Sequence, residues 1–273
     1  MAGKLYVVGT PIGNLEDISA RAVRILSEVD FIAAEDTRVT LKLLNHFNIK
    51  KPMISYFEHN KLSKGTVIID RIKNGETAAI VTDAGMPAIS DPGEDLVREA
   101  INCGVCIESV PGPSALTAAL SISGMKSERF CFEGFLSAEK KERKSRLTNL
   151  KDEERTMVFY EAPHKLKKTL ADMLEIFGNR EVSVVKEITK THETTLKTTL
   201  DEAVKYYAEN EPKGEYVIIV HGAKKEVEKY TLKEAVSLCL ELIKKGESKT
   251  EAAKQIARLT GIKKSDIYKE VVK

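Results

Sequence analysis

Short apolar runs rich in β-branched residues recur along the first 223 positions, with amphipathic stretches between them. The runs at residues 5–8, 31–34, 78–82, 105–110, 130–135, 157–160, 182–187 and 216–221 predict strands. Between them, residues 18–27, 62–73, 94–102, 114–121, 165–177 and 200–208 repeat their apolar positions every three or four residues, which predicts helices. Strand–helix alternation of this kind predicts an α/β fold with largely parallel sheets. The alternation runs twice, with a break at about 121–129. The expected division is therefore an N-terminal α/β domain over 1–121, a second α/β domain over 122–223 and a small helical domain over 224–273.

After Gly222 the pattern becomes helical only. Thr231 followed by Glu234 reads as a capping box, and Leu232, Ala235, Val236, Cys239, Leu242 and Ile243 fall on one helical face. Gly246 suits the position just past a helix end. Ser248 and Glu251 read as a second capping box, opening two short helices joined through Leu259-Thr260-Gly261-Ile262. Small Ala257 four residues before Gly261 is helix-turn-helix spacing, although an αα-hairpin that only packs has the same pattern.

Charge changes the picture locally rather than globally. The chain of 273 residues carries 43 Lys+Arg against 41 Asp+Glu, so it has no strong overall field for nucleic acid or a membrane. Residues 224–273 alone hold 13 basic and 8 acidic residues. A basic tail on a mildly acidic body suggests a polyanion partner, as does the run Lys140-Lys141-Glu142-Arg143-Lys144-Ser145-Arg146. Solvated helix faces would explain both equally well. Hydrophobic residues at 42% and charged residues at 31% are ordinary for a globular chain and exclude a disordered one. No apolar run approaches the roughly 18 residues of a membrane span, and the N-terminus has no signal-peptide pattern, so a cytoplasmic protein is expected.

Four cysteines, Cys103, Cys106, Cys131 and Cys239, are too scattered for a disulfide scaffold. Cys103 and Cys106 have CxxC spacing, but no second pair completes a zinc site, and small buried apolar residues are the expected reading. Gly104 between them reads as a helix end leading into a strand. His46, His192 and His221 show no metal-ligand spacing, so no metal is expected.

Three glycine- and proline-rich segments stand between a strand and a helix: Gly9-Thr10-Pro11-Ile12-Gly13-Asn14, Asp83 to Gly93, and Pro111-Gly112-Pro113-Ser114-Ala115. The first is neither GxGxxG nor a Walker A loop. In open α/β sheets ligands sit beyond the strand carboxyl ends, and three such loops at consecutive strand ends form a ligand crevice with Asp83 at a strand tip.

The ordered set of these loops with Asp17-Ile18, Glu35-Asp36-Thr37-Arg38, Gly134-Phe135-Leu136, Tyr160-Glu161, Pro163-His164 and Glu187-Ile188-Thr189-Lys190 resembles the tetrapyrrole methylase superfamily. Within it, the chain is similar to the ribosomal RNA small subunit methyltransferase I family over essentially its whole length. The resemblance implies two α/β domains with S-adenosylmethionine held in the cleft between them. It implies methylation of the ribose 2′-oxygen of cytidine 1402 in 16S rRNA, so the 30S subunit is the expected partner, and it implies a homodimer. Carried over by motif, the donor pocket uses Thr10, Pro11, Asp83, Gly85, Met86, Pro87, Ser114, Ala115, Tyr160, Ala162 and Gly214. Met86, Ser137, Phe57 and Lys165 depart from the family pattern; Met86 changes the pocket's polarity and Lys165 lacks the bidentate phosphate fork of Arg.

A sulfonium methyl is already activated, so the protein has to align it with the nucleophile, and a ribose hydroxyl benefits from a base. Glu187, Lys190 and Asp36 are the catalytic candidates; Lys190 serves as a base only if burial lowers its pKa, and a structural Glu187–Lys190 ion pair is the competing reading. Asn14, Arg38, His59, Asn60 and His164 are the substrate-side candidates. A small-molecule, tetrapyrrole-type methyltransferase on the same fold and a helix-turn-helix regulator are the alternatives, and the basic helical tail argues against the first of these.

Overall fold

The computed structural model describes residues 3–224 and 230–272. They form two compact units, Met1–Ala223 and Lys224–Lys273. In the larger unit the first half runs β1 (Lys4–Val8), α1 (Ala20–Glu28), β2 (Phe31–Ala34), α2 (Thr37–His46), β3 (Met53–Ser55), α3 (Lys61–Lys73), β4 (Ala78–Val81), α4 (Glu94–Asn102), β5 (Cys106–Val110) and α5 (Ala115–Ser123). The second half runs β6 (Phe130–Phe135), α6 (Lys140–Asn149), β7 (Thr156–Glu161), α7 (Pro163–Phe177), β8 (Glu181–Lys186), β9 (Thr194–Thr199), α8 (Leu200–Glu209) and β10 (Tyr216–Val220).

The first sheet has the order β3-β2-β4-β1-β5 and is parallel throughout. Its inner strands β2 and β4 are buried at every position, as strands covered on both faces must be. One face packs Val8, Ile32 and Val81 against Ile25 and Leu26 of α1; the other packs Leu5, Phe31 and Ile80 against Ile68 and Ile72 of α3 and Leu96 of α4. The second sheet has the order β6-β7-β10-β8-β9, and here the expectation of parallel strands is corrected. Only β6 and β7 are parallel, whereas β10 runs antiparallel to β7 and β8, and β9 antiparallel to β8. The reason is the short excursion from β8 to β9, a turn with no crossover helix, which reverses the chain.

Helix α5 follows β5 in the chain but buries its far face on the second sheet, where Ala119 and Leu120 meet Val158, Val185, Val217 and Ile219. The expected break at 121/122 therefore falls inside this helix.

The basic run over 140–146 forms α6, but most of its charge is already partnered. Arg143 is buried and pairs with buried Asp172 of α7 at 2.8 Å, Lys144 pairs with Glu175 at 2.6 Å and Arg146 with Glu133 at 3.0 Å. The run is thus mainly a device for docking α6. The CxxC cysteines depart from expectation in the other direction: Cys103 and Cys106 are both exposed. Cys103 caps α4 and Gly104 takes φ 69°, so the pair straddles a helix end and the start of β5 at the surface.

The smaller unit consists of α9 (Leu232–Lys244), α10 (Lys249–Thr260) and α11 (Lys264–Val272). The Thr231–Glu234 capping box is complete, whereas Ser248 accepts from the Glu251 amide and Glu251 turns its side chain to Lys254 at 3.1 Å. Ala235, Cys239, Ala252, Ala253, Ile256, Ile267 and Val271 make a core of its own, with Gly261 in a left-handed turn after α10. Leu232 lies off the buried face and is exposed. No helix among the described residues is long and apolar enough to cross a membrane.

Candidate active site

The three loops after β1, β4 and β5 emerge side by side, because β1 lies between β4 and β5. They are joined through their backbones. The Thr10 amide donates to the Gly85 carbonyl at 2.9 Å, the Gly85 amide donates back to Thr10 at 3.1 Å, and the Thr10 hydroxyl donates to the Thr82 carbonyl at 3.1 Å. A Cβ on Gly9 would lie 2.7 Å from Gly112 Cα, so only glycine lets the first and third loops touch. The middle loop is strained: Ala88 and Ser90 have φ of 69° and 61° between Gly85 at 88° and Gly93 at 134°. Left-handed non-glycine residues cost on the order of 1–3 kcal/mol each and concentrate where a ligand is held.

Facing these loops are the end of β7, the turn after β8 and the start of β10. Together they enclose a cavity of about 390 Å³, within the size range of small-molecule sites. Of the residues expected to hold the donor, Gly85, Met86, Ser114, Ala115, Tyr160 and Ala162 line it. Thr10, Pro11 and Asp83 instead line a second cavity of about 200 Å³, with Leu15, Val39 and Thr82. Pro87 and Gly214 line neither; Gly214 passes under Glu187, whose Cδ would sit 2.4 Å from an added Cβ. Met86 covers Gly9, its Sδ 2.6 Å from where a Cβ would be. Tyr160 is fixed between Phe132 and Phe135, with ring centroids at 4.9 and 5.5 Å, and its hydroxyl accepts the Leu116 amide at 3.0 Å.

Sequence reasoning missed Ile12, Ile89, Asp91, Glu215 and Val217 as lining residues. Asp91 stood inside a loop already suspected and carried a signal in its charge. Val217 reads as ordinary strand core, and nothing in the sequence separates it from its neighbours.

Among the described residues the lining contains three carboxylates, Asp91, Glu161 and Glu215, and no Lys, Arg or His. Two of the three are partnered. Buried Glu161 pairs with Lys165 at 2.8 Å and accepts from the Ala162 amide at 2.9 Å and the Thr169 hydroxyl at 2.5 Å. Lys165 also donates to the Leu136 carbonyl at 2.9 Å, so it neutralises Glu161 rather than reaching outward. Glu215 pairs with Lys190 at 2.9 Å. Asp91 has no hydrogen-bond or ion-pair partner among the described residues; burial first, then Glu35 and Asp83, push its carboxyl up to about 7.

Glu187 and Lys190 form the ion pair that competed with a catalytic role, at 2.9 Å. Burial works to lower the Lys190 pKa, but hydrogen bonds to Glu215 and Glu187 outweigh it and the net shift is upward. Lys190 thus stays protonated, which removes the condition under which it serves as a base. The turn holding the pair is strained, with φ of 51° at Glu187 and 66° at Thr189, and the Lys190 stem packs where a Cβ of Gly13 would be, so the pair also seats the first loop. Asp36 caps α2 by accepting the Arg38 amide at 2.8 Å, and its ion pair with the Arg38 side chain at 2.6 Å brings its carboxyl down to about 2. Its amide donates to Asp83 at 3.1 Å.

None of the five substrate-side candidates lines the cavity. Asn14 caps a short 3₁₀ turn, accepting from the Glu16 amide at 3.0 Å. Asn60 accepts from the Phe57 amide at 2.9 Å and donates to the Ser55 carbonyl at 3.1 Å. Arg38, His59 and His164 are exposed at the starts of α2, α3 and α7. Ser137 opens α6 by donating to Glu142 at 2.7 Å, and Phe57 is exposed with its ring edge-on to His59 at 6.2 Å. No group of three metal-ligating side chains is gathered among the described residues.

The sequence model of the Tetrapyrrole (Corrin/Porphyrin) Methylases matches residues 4–204. The chain belongs to the tetrapyrrole methylase family. Among members of that family, the ribosomal RNA small subunit methyltransferase I of Halalkalibacterium halodurans is 49% identical over 270 residues, covering 97% of this chain and 93% of that protein. The protein of the same name from Bacillus subtilis is 43% identical over 274 residues, covering 97% and 93%. That from Thermotoga maritima is 48% identical over 220 residues, which is 81% of this chain but 99% of the relative. Among solved structures, uroporphyrin-III-C-methyltransferase from Thermus thermophilus superposes with a TM-score of 0.57 at 18% identity, covering 80% of this chain and 94% of that one. Diphthine synthase superposes with a TM-score of 0.62 at 16% identity, covering 81% and 90%. Both share this methylase fold.

Proposed function

We propose that this methylase transfers a methyl group from S-adenosylmethionine to the RNA of the small ribosomal subunit, and that the acceptor is the ribose 2′-oxygen of cytidine 1402 in 16S rRNA. The observation that carries the reading is the cavity at the strand ends, walled by both sheets, taken with relatives of 42–49% identity over nearly the whole chain that are named for this class of reaction. Those names favour rRNA over a tetrapyrrole as the acceptor.

The cavity suits the donor chemically. The lining holds no Lys, Arg or His among the described residues, so nothing in it repels a ligand that carries positive charge, and S-adenosylmethionine supplies a methyl group activated by a sulfonium. Ile12, Met86, Ala115 and Val217 would hold its apolar parts, with the turns at 84–86 and 114–115 offering backbone groups. Tyr160 is immobilised by its ring contacts and its hydrogen bond, so it positions without ordering cost. The Thr10–Gly85 pairing fixes the first and middle loops before any ligand arrives, which is the alignment that transfer between two bound groups requires.

We propose further that the acceptor is presented by the 30S subunit, that the enzyme works in the cytoplasm as a homodimer, and that Arg38, His59 and His164 contact the RNA from the exposed rim. The deciding experiment is transfer from methyl-labelled S-adenosylmethionine to 30S subunits lacking the modification, followed by nucleoside analysis. The expected product is 2′-O-methylcytidine. Label in another nucleoside would correct the acceptor, and no label in any ribosomal RNA would remove the reading.

A further inference from the structure

The geometry points to Asp91 as the general base that takes the proton of the acceptor hydroxyl, an assignment that rests on the methyl-transfer reading above. The cavity is lined by five titratable side chains: Asp91, Tyr160, Glu161, Glu215 and Tyr216. Four are committed. Glu161 is held by Lys165, Thr169 and the Ala162 amide, and Glu215 by Lys190. The hydroxyls of Tyr160 and Tyr216 accept the Leu116 and Lys213 amides at 3.0 and 3.1 Å. Among the described residues lining the cavity, Asp91 alone keeps both carboxylate oxygens without a partner. The groups previously suspected are engaged elsewhere, Lys190 and Glu187 with each other and Asp36 with Arg38.

Its surroundings tune it for this work. Glu35 at the end of β2 and Asp83 at the end of β4 lie near it with like charge, and Tyr160 of β7 faces it as a neutral hydroxyl. Among the described residues no cation lines the cavity to hold it ionised. Half-buried among these groups, it titrates close to neutral, where a base both exists as carboxylate and draws a proton effectively. Its neighbours are constrained: Ser90 has φ 61°, and the Ser90 hydroxyl lies 3.1 Å from where a Cβ on Gly134 would be, so β6 of the second sheet passes close beside this loop.

In the step, the hydroxyl O–H bond breaks and its proton goes to an Asp91 carboxylate oxygen. The electron pair left on the ribose oxygen forms the bond to the methyl carbon, and the pair of the breaking carbon–sulfur bond stays with sulfur. Asp91 afterwards returns its proton to water.

The test compares wild type, Asp91→Asn and Asp91→Glu in three measurements. These are donor affinity by calorimetry, the pH dependence of single-turnover transfer to 30S subunits, and the titration of the Asp91 carboxyl by carbon NMR without ligand, assigned by its loss in Asp91→Asn. Expected are a carboxyl midpoint near 7, a rate that rises through that pH in the wild type, and a roughly hundredfold slower, pH-flat rate in Asp91→Asn with donor affinity within threefold. Asp91→Glu should recover part of the rate. Asp91→Asn transferring at the wild-type rate would overturn the assignment. So would donor affinity falling in step with rate, which would make Asp91 a counter-charge to the donor, or a carboxyl midpoint below 5. A wild type inert toward every ribosomal acceptor would instead sink the rRNA reading, and the carboxyl titration would still judge Asp91.

Discussion

Gly214 and Asp91 show how much rests on single positions. Gly214 has φ 80°, and any Cβ there would stand 2.4 Å from Glu187 Cδ. Gly214→Ala should therefore cost on the order of 2–3 kcal/mol in urea unfolding, through backbone strain and displacement of Glu187 from Lys190. Asp91 makes a pH prediction. Its carboxyl is raised from 3.8 to about 7 in the fold, so the folded state holds the proton more tightly than the unfolded chain. The resulting stabilisation is complete below about pH 4, fades as pH rises, and is gone above about 7, where a buried carboxylate weighs against folding. Asp91→Asn should melt higher than wild type at pH 8, by on the order of 3 °C, with the gap closing by pH 4 in thermal scans. The motif drew attention to this loop, but the sequence could not mark Asp91 off from Asp83. Both are acidic residues after the same strand, and only burial and the positions of their neighbours separate them.

Elements were legible where their periodicity is long and missed where it is short or polar. Strand β3 has three residues, too few for any pattern, and β9 is Thr-Thr-Leu-Lys-Thr-Thr, an edge strand with little apolar signal. Helix α2 follows a motif that reads as chemistry, and its cap Asp36 reads as a catalytic group because a cap and an active-site carboxylate look alike in sequence. Helix α6 teaches the converse: its basic run suggests a polyanion, yet the carboxylates that satisfy it come from other elements. Its central residue makes a firm prediction. Arg143 is 3% exposed and donates to Asp172, Ser137 and Ala138. Arg143→Met should destabilise by about 3–5 kcal/mol because it leaves the buried Asp172 carboxylate with only the more distant Lys144, at 3.8 Å, and adding Asp172→Leu should recover much of that in the same denaturant titration.

At the scale of the whole molecule, the larger unit contains both sheets and the cavity, and the smaller has a core of its own. The Thermotoga relative matches over nearly all of its length while leaving unmatched a stretch of this chain about as long as the helical unit. Deleting residues 224–273 should leave donor affinity within twofold by calorimetry, while RNA binding weakens and its salt dependence becomes shallower as basic residues are lost. The packing of α5 ties the cavity wall to both sheets. Ser114 and Ala115 at its start form part of the wall, its body is fastened to the opposite sheet, and only four residues tie it back to β5. Swinging the two sheets apart would draw Ser114 and Ala115 away from the Gly85–Met86 side of the cavity, because α5 travels with the second sheet. A ligand held against both Met86 and Ser114 would latch the two sheets together.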